Sequence, residues 1–141
     1  MSSTPWSWTC EETIPSRAEA AGQIVDALLE QLRRDEWEPH DVFGVHMAVE
    51  EALANAITHG NRQDPAKTVQ VRLASSPQRL RVEIIDQGQG FDPQRVPDPT
   101  CDLYLSEPHG RGLMLIRWFM SRVEYRGAGN HLVMEKERSV D

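Results

Sequence analysis

The chain is short of features that would mark several familiar classes of protein. It has two cysteines in 141 residues, Cys10 and Cys101, far apart and with no CxxC spacing. Free, reduced thiols are the expectation, not a disulfide framework. No apolar run approaches the roughly 18 residues that a membrane span needs, and the N-terminus, MSSTPWSWTC, lacks the positive charge and apolar core of a signal peptide. A cytoplasmic protein with no membrane association is therefore expected. Basic charge is also scarce: 15 Lys and Arg stand against 22 Asp and Glu, a formal net charge of −7. That argues against direct nucleic-acid binding, which depends on cations neutralising phosphates. It does not argue against a nucleotide, whose charge a metal and a few local donors can carry. The five histidines, at 40, 46, 59, 109 and 131, form no HxxxH or HExxH pattern, so a zinc site is not expected. No internal repeat and no low-complexity tract is present.

What remains is a length suited to one compact domain, expected to span 1–141 with frayed ends at 1–5 and 138–141. Residues 6 to 12, WSWTCEE, alternate apolar and polar and predict a first strand. From Pro15 and Ser16 a helical stripe follows, through Ala18, Ala21, Ile24, Val25, Leu28, Leu29 and Leu32, ending near Arg34. Pro39 opens a second helix that buries Val42, Val45, Val49, Ala52, Leu53 and Ala56 and stops at Gly60 and Asn61. TVQVRLAS and RLRVEIID predict a hairpin. Residues 87 to 112 are rich in glycine and proline and predict a long loop, of the kind that is functional or mobile in compact domains. A third helix is expected from about Gly112 to Met120, then two closing strands, RVEYRG and HLVMEKE, around Gly127-Ala128-Gly129. Strands in hairpins with three amphipathic helices predict an α+β two-layer sandwich: a mixed, mostly antiparallel sheet covered on one face by three helices.

Three segments carry candidate chemistry. In EEALANAITHGN, Asn55 is a poor interior helix residue, yet it lies four residues after Glu51, on the same face. Thr58 and His59 extend that side by another turn. The pair directs oxygens at one small volume, suited to a hard cation shared with substrate phosphates, or to a carboxylate that takes a proton from an attacking hydroxyl. In IIDQGQGFDP, a strand runs into Asp86, with Gly88 and Gly90 beside it. A carboxylate there suits the exocyclic amino group of adenine, and glycines let backbone approach a flat ring. In HGRGLMLIRWFM, Gly110, Arg111 and Gly112 lead into a helix, an arrangement of free N–H groups and a guanidinium suited to phosphate.

These segments, in this order, resemble those of the GHKL ATPase superfamily with its Bergerat nucleotide-binding fold: EEALANAITHG is similar to its N box, DQGQGF to its G1 box and GRGLMLI to its G2 box. The size and the EAxxNAxxHG form of the N box resemble the stand-alone anti-sigma-factor serine/threonine kinases. The resemblance covers about residues 16 to 136. It implies ATP and Mg²⁺ as cofactors, Glu51 as catalytic base, Asn55 as Mg²⁺ ligand, and nucleotide contacts from Asn55, His59, Asp86, Gly88, Gly90, Gly110, Arg111, Gly112 and Leu113. It implies two partners, a sigma factor or similar regulator and a small anti-anti-sigma (STAS-domain) protein that is phosphorylated, and a possible homodimer. The alternative is a nucleotide-responsive binding module of the same fold that transfers no phosphate. Many relatives carry Gly-Thr entering the final strand; here the segment is Gly129-Asn130-His131, with Asn130 as the substitute hydrogen-bonding side chain.

Overall fold

The computed structural model describes residues 6–88 and 108–139, with backbone only for 108–113. Five strands form one sheet in the order β1-β2-β3-β5-β4: β1 (Trp8–Pro15), β2 (Thr68–Ser75), β3 (Arg79–Ile85), β4 (Arg122–Arg126) and β5 (His131–Glu137). Every described pairing is antiparallel. The helices are α1 (Ala18–Arg34), α2 (Pro39–Asn55) and α3 (Pro108–Phe119), with a π-helical turn over Ala56–Gly60 continuing α2. The expected α+β two-layer sandwich is the fold observed.

Alternation sets the layers. β2 and β3 send Val69, Val71, Leu73, Leu80, Val82 and Ile84 to one face, where they are buried, and leave Arg72, Arg81 and Glu83 on the other. The buried face meets Leu28 and Leu32 of α1 and Val45, Val49 and Leu53 of α2, all essentially inaccessible. Burying each such side chain stabilises the fold by about 1.5–3 kcal/mol before entropy is counted. Gly44 of α2 sits against α3: a Cβ there would lie 2.9 Å from the Phe119 ring.

Three boundaries differ from the sequence expectation. β1 extends to Pro15, which pairs with Thr68, and α1 begins only at Ala18. Proline is tolerated there because β1 is an edge strand. α3 starts at Pro108, not Gly112, so Gly110, Arg111 and Gly112 lie within its first turns; proline fits a first helical position, where its missing N–H costs nothing. At the C-terminus, Arg138 and Ser139, expected to fray, are tied down. Arg138 donates to the carbonyls of Asp35 and Pro77 at 3.0 Å and to that of Glu36. Ser139 donates its N–H (2.9 Å) and hydroxyl (2.7 Å) to the buried Asp41 carboxylate.

Candidate functional site

The end of α2 and the exit of β3 are in direct contact. A Cβ on Gly60 would fall 2.4 Å from the carboxyl carbon of Asp86, and one on Gly88 would fall 2.1 Å from the Gly60 carbonyl oxygen. Only glycine fits at either position without displacing backbone or carboxylate. The helix bearing Glu51 and Asn55 is thereby pressed onto the strand end bearing Asp86. These two expected segments converge.

Asp86 is held through its N–H, its carbonyl and one carboxylate oxygen. Its N–H donates to the Asn130 carbonyl, and the Asn130 side-chain amide donates back to the Asp86 carbonyl, both at 3.0 Å. The Asp86 carboxylate accepts the Gly88 N–H at 2.8 Å. Burial pushes its pKa up, while the Gly88 amide and the charge of Lys67 pull the other way. Asn130 thus brackets the backbone of Asp86 from the β4–β5 turn.

On α2, Glu51 and Asn55 are half-buried. Burial raises the Glu51 carboxyl above its ordinary range; the nearby His59 charge lowers it, and Glu50 raises it further. His59 therefore reaches the Glu51 side, as expected. Thr58 does not: it lines, with Glu50 and Ala54, a groove of about 570 Å³ against α1, floored by Val25, Leu53 and Ile57. The π-helical turn supplies the reason. An α-helix advances about 100° per residue, so four residues overshoot a full turn by about 40°. A turn closed by i→i+5 bonds holds more residues and rotates less for each. Past Asn55, Thr58 swings back toward Glu50, and His59 falls over Glu51.

Of the remaining expected residues, Gly90 lies outside the described residues. Gly110, Arg111, Gly112 and Leu113 have helical backbone in α3. With α3 starting at Pro108, the amides lacking an intrahelical acceptor belong to its first turn, from His109 onward, rather than to a loop before it. Among the described residues no three His, Cys, Asp or Glu side chains group as a metal cluster.

Sequence reasoning missed Asn61, read only as a helix stop. It is fully buried. Its amide donates to Ser16 Oγ and the Thr68 carbonyl, both at 2.9 Å, and its Oδ1 accepts the Gln87 N–H at 2.7 Å. Ser16 and Gln87 are remote in sequence and Thr68 lies across a turn, beyond helical spacing, so the local helix pattern gave no signal.

Comparison with known proteins places this geometry in context. A family model for the histidine kinase-like ATPase domain matches residues 14–136. The chain is 29% identical over 105 residues to the serine/threonine-protein kinase BtrW of Bordetella bronchiseptica, covering 72% of this chain and 74% of that protein. It is 30% identical over 109 residues to an anti-sigma F factor of Clostridium beijerinckii, covering 71% and 73% respectively. Among solved structures it is similar to the RsbU and RsbW domains of a Mycobacterium tuberculosis protein, with a TM-score of 0.59 at 15% identity. That likeness covers 94% of this chain and 32% of the other, and concerns the fold.

Proposed function

The chain belongs to the histidine kinase-like ATPase domain family, and on that premise we propose that it is an ATP-dependent protein serine/threonine kinase acting as an anti-sigma factor. It phosphorylates a STAS-domain antagonist and, once released from it, sequesters a sigma factor. In this reading the cytoplasm, where a sigma factor acts, is the setting. No helix among the described residues is long and apolar enough to cross a membrane. The observation that carries the reading is the contact of Gly60 with Asp86. It supports one continuous site, with a base-reading carboxylate at one end and Glu51 with Asn55 at the other.

In this reading Asp86 accepts the exocyclic N–H of adenine, and the first turn of α3 with Arg111 takes the phosphates. Glu51 accepts the proton of the partner's serine or threonine hydroxyl as that oxygen bonds to the γ-phosphorus and the bond to the β-phosphate oxygen breaks, leaving ADP. Burial of Glu51 suits this work, because a carboxylate lifted toward the working pH is a stronger base. Asn55 offers an amide oxygen, and Glu51 stands one turn away. Hard oxygen donors of this kind, too few to form a cage, fit Mg²⁺, which keeps its waters and shares substrate phosphates. When bound, the ion neutralises phosphate charge.

The test is a titration with ATP, with and without Mg²⁺, followed by incubation of labelled ATP with a cognate STAS-domain protein. Mg²⁺-dependent binding and label on a serine or threonine of the partner are expected. Binding without transfer would favour a nucleotide-responsive binding module, and no binding would refute the site.

A further inference from the structure

We infer that Asn61 is the positioning residue for the base-reading end of this site, locking the segment Asp86–Gly88 to the end of the catalytic helix. The inference rests on the nucleotide site proposed above and adds a residue to it.

Asn61 joins four parts of the fold through one buried side chain. Its own backbone ends the π-helical turn, with its N–H donating to the Ala56 carbonyl at 2.8 Å. Its amide nitrogen serves Ser16 Oγ, in the β1–α1 turn, and the carbonyl of Thr68, the first residue of β2. Ser16 Oγ passes its own hydrogen to the Lys67 carbonyl at 2.8 Å. The Asn61 Oδ1 takes the N–H of Gln87, the residue between Asp86 and Gly88. Gln87 completes the clamp from outside: its Oε1 accepts the Thr68 N–H at 2.7 Å. Asn61 and Gln87 thus hold both backbone groups of Thr68, and Asn61 holds the backbone of Gln87.

The two amide hydrogens and one oxygen lone pair of Asn61 are all used, in a site with no exposure. Truncation would leave the part-buried Gln87 N–H and Thr68 carbonyl without this partner and empty the buried Asn61 site between them. The chain beyond Asn61 points the same way. Arg62 and Gln63 are consecutive non-glycine residues with φ of 53° and 57°. Such residues persist only where surroundings over-determine them. A reversal of that kind needs an anchor at its start, and Asn61 supplies it. The consequence is specific. Gly60 and Gly88 set how closely the two segments touch, and Asn61 sets where along the helix end they meet. A functional group holds its geometry to within about 0.5 Å only when such supporting contacts are made. Loss of Asn61 should therefore disturb base reading by Asp86 more than contacts at the phosphate end.

The test measures dissociation constants for ATP and GTP with Mg²⁺, on the full chain, for the wild type and for Asn61→Ala, Gln87→Ala and Leu73→Ala. Leu73→Ala is a core truncation on β2, five residues along the strand from Thr68 and in register with Cys10 and Val82. The wild type should prefer ATP. Asn61→Ala should lose about tenfold or more in ATP affinity with GTP affinity little changed, so that the ATP:GTP preference falls. Gln87→Ala, an exposed position expected to fold normally, should move the preference the same way by about two- to threefold. Leu73→Ala should lower stability and leave the preference intact. An unchanged preference in both clamp variants, or an equal fall in Leu73→Ala, would overturn the inference while the nucleotide site stands. If Asn61→Ala does not fold, Gln87→Ala decides alone. A wild type that binds no ATP would refute the nucleotide site itself, and the inference with it.

Discussion

Glu50 and Glu51 follow one another on α2 and meet different surroundings. Glu50 is exposed, pairs with His46 one turn back at 3.2 Å, and borders the groove against α1 with Ala54 and Thr58. Glu51 is half-buried, shares its face with Asn55 and His59, and has its carboxyl raised by burial. The two glutamates are the same residue type, one position and about 100° apart. Their difference lies in what the helix packs against on each side. A surface contact leaves a carboxylate in water, whereas partial burial penalises its charged form, the change that would suit a general base.

The comparison breaks first at Glu51. Glu51→Ala should lower phosphotransfer by about 10² to 10⁴, the usual cost of losing a general base, with ATP binding retained by calorimetry. Loss of binding in parallel would place Glu51 in nucleotide recognition instead. Next is Asn55→Ala, which should weaken Mg²⁺-dependent ATP affinity by about tenfold, roughly the worth of one contact to a charged group. Equal affinity in the variant would reject a metal role. Smaller again is an effect on stability. A carboxyl whose folded pKa is raised contributes stability below its ordinary value, and loses that contribution as pH rises through the raised value. Glu51→Gln should therefore raise the melting temperature slightly at neutral pH, relative to wild type, and the gain should vanish below about pH 4, where both forms are neutral. Smallest is Glu50→Ala, or His46→Ala, each expected to change stability by less than about 0.5 kcal/mol and phosphotransfer by less than about twofold.

The same helix shows how far sequence carries. The identity of α2 and its buried stripe were legible, because Val45, Val49, Ala52 and Leu53 repeat at helical spacing and the structure buries all four. The β2–β3 hairpin was equally plain from strict alternation. What failed was geometry that pattern does not encode. α-Helical arithmetic puts Thr58 on the Glu51 face, and the π-helical turn moves it toward the Glu50 side. The pattern predicts a start for α3 at about Gly112, whereas the helix begins at Pro108 and carries Gly110 and Gly112 inside. Asn61 looked like a cap; its partners Ser16, Thr68 and Gln87 come together only when the sheet forms. Local chemistry announced which residues could act, and long-range packing decided how they are held.

The account turns on Glu51 being the base, and the pH dependence of single-turnover phosphotransfer at saturating ATP and Mg²⁺ tests that most directly. With wild type the rate should rise through one ionisation above the ordinary glutamate range, in keeping with the raised Glu51 carboxyl. That limb should vanish in Glu51→Gln, along with most of the rate, and persist in Glu50→Gln. A limb that survives in Glu51→Gln, or disappears in Glu50→Gln, would contradict it.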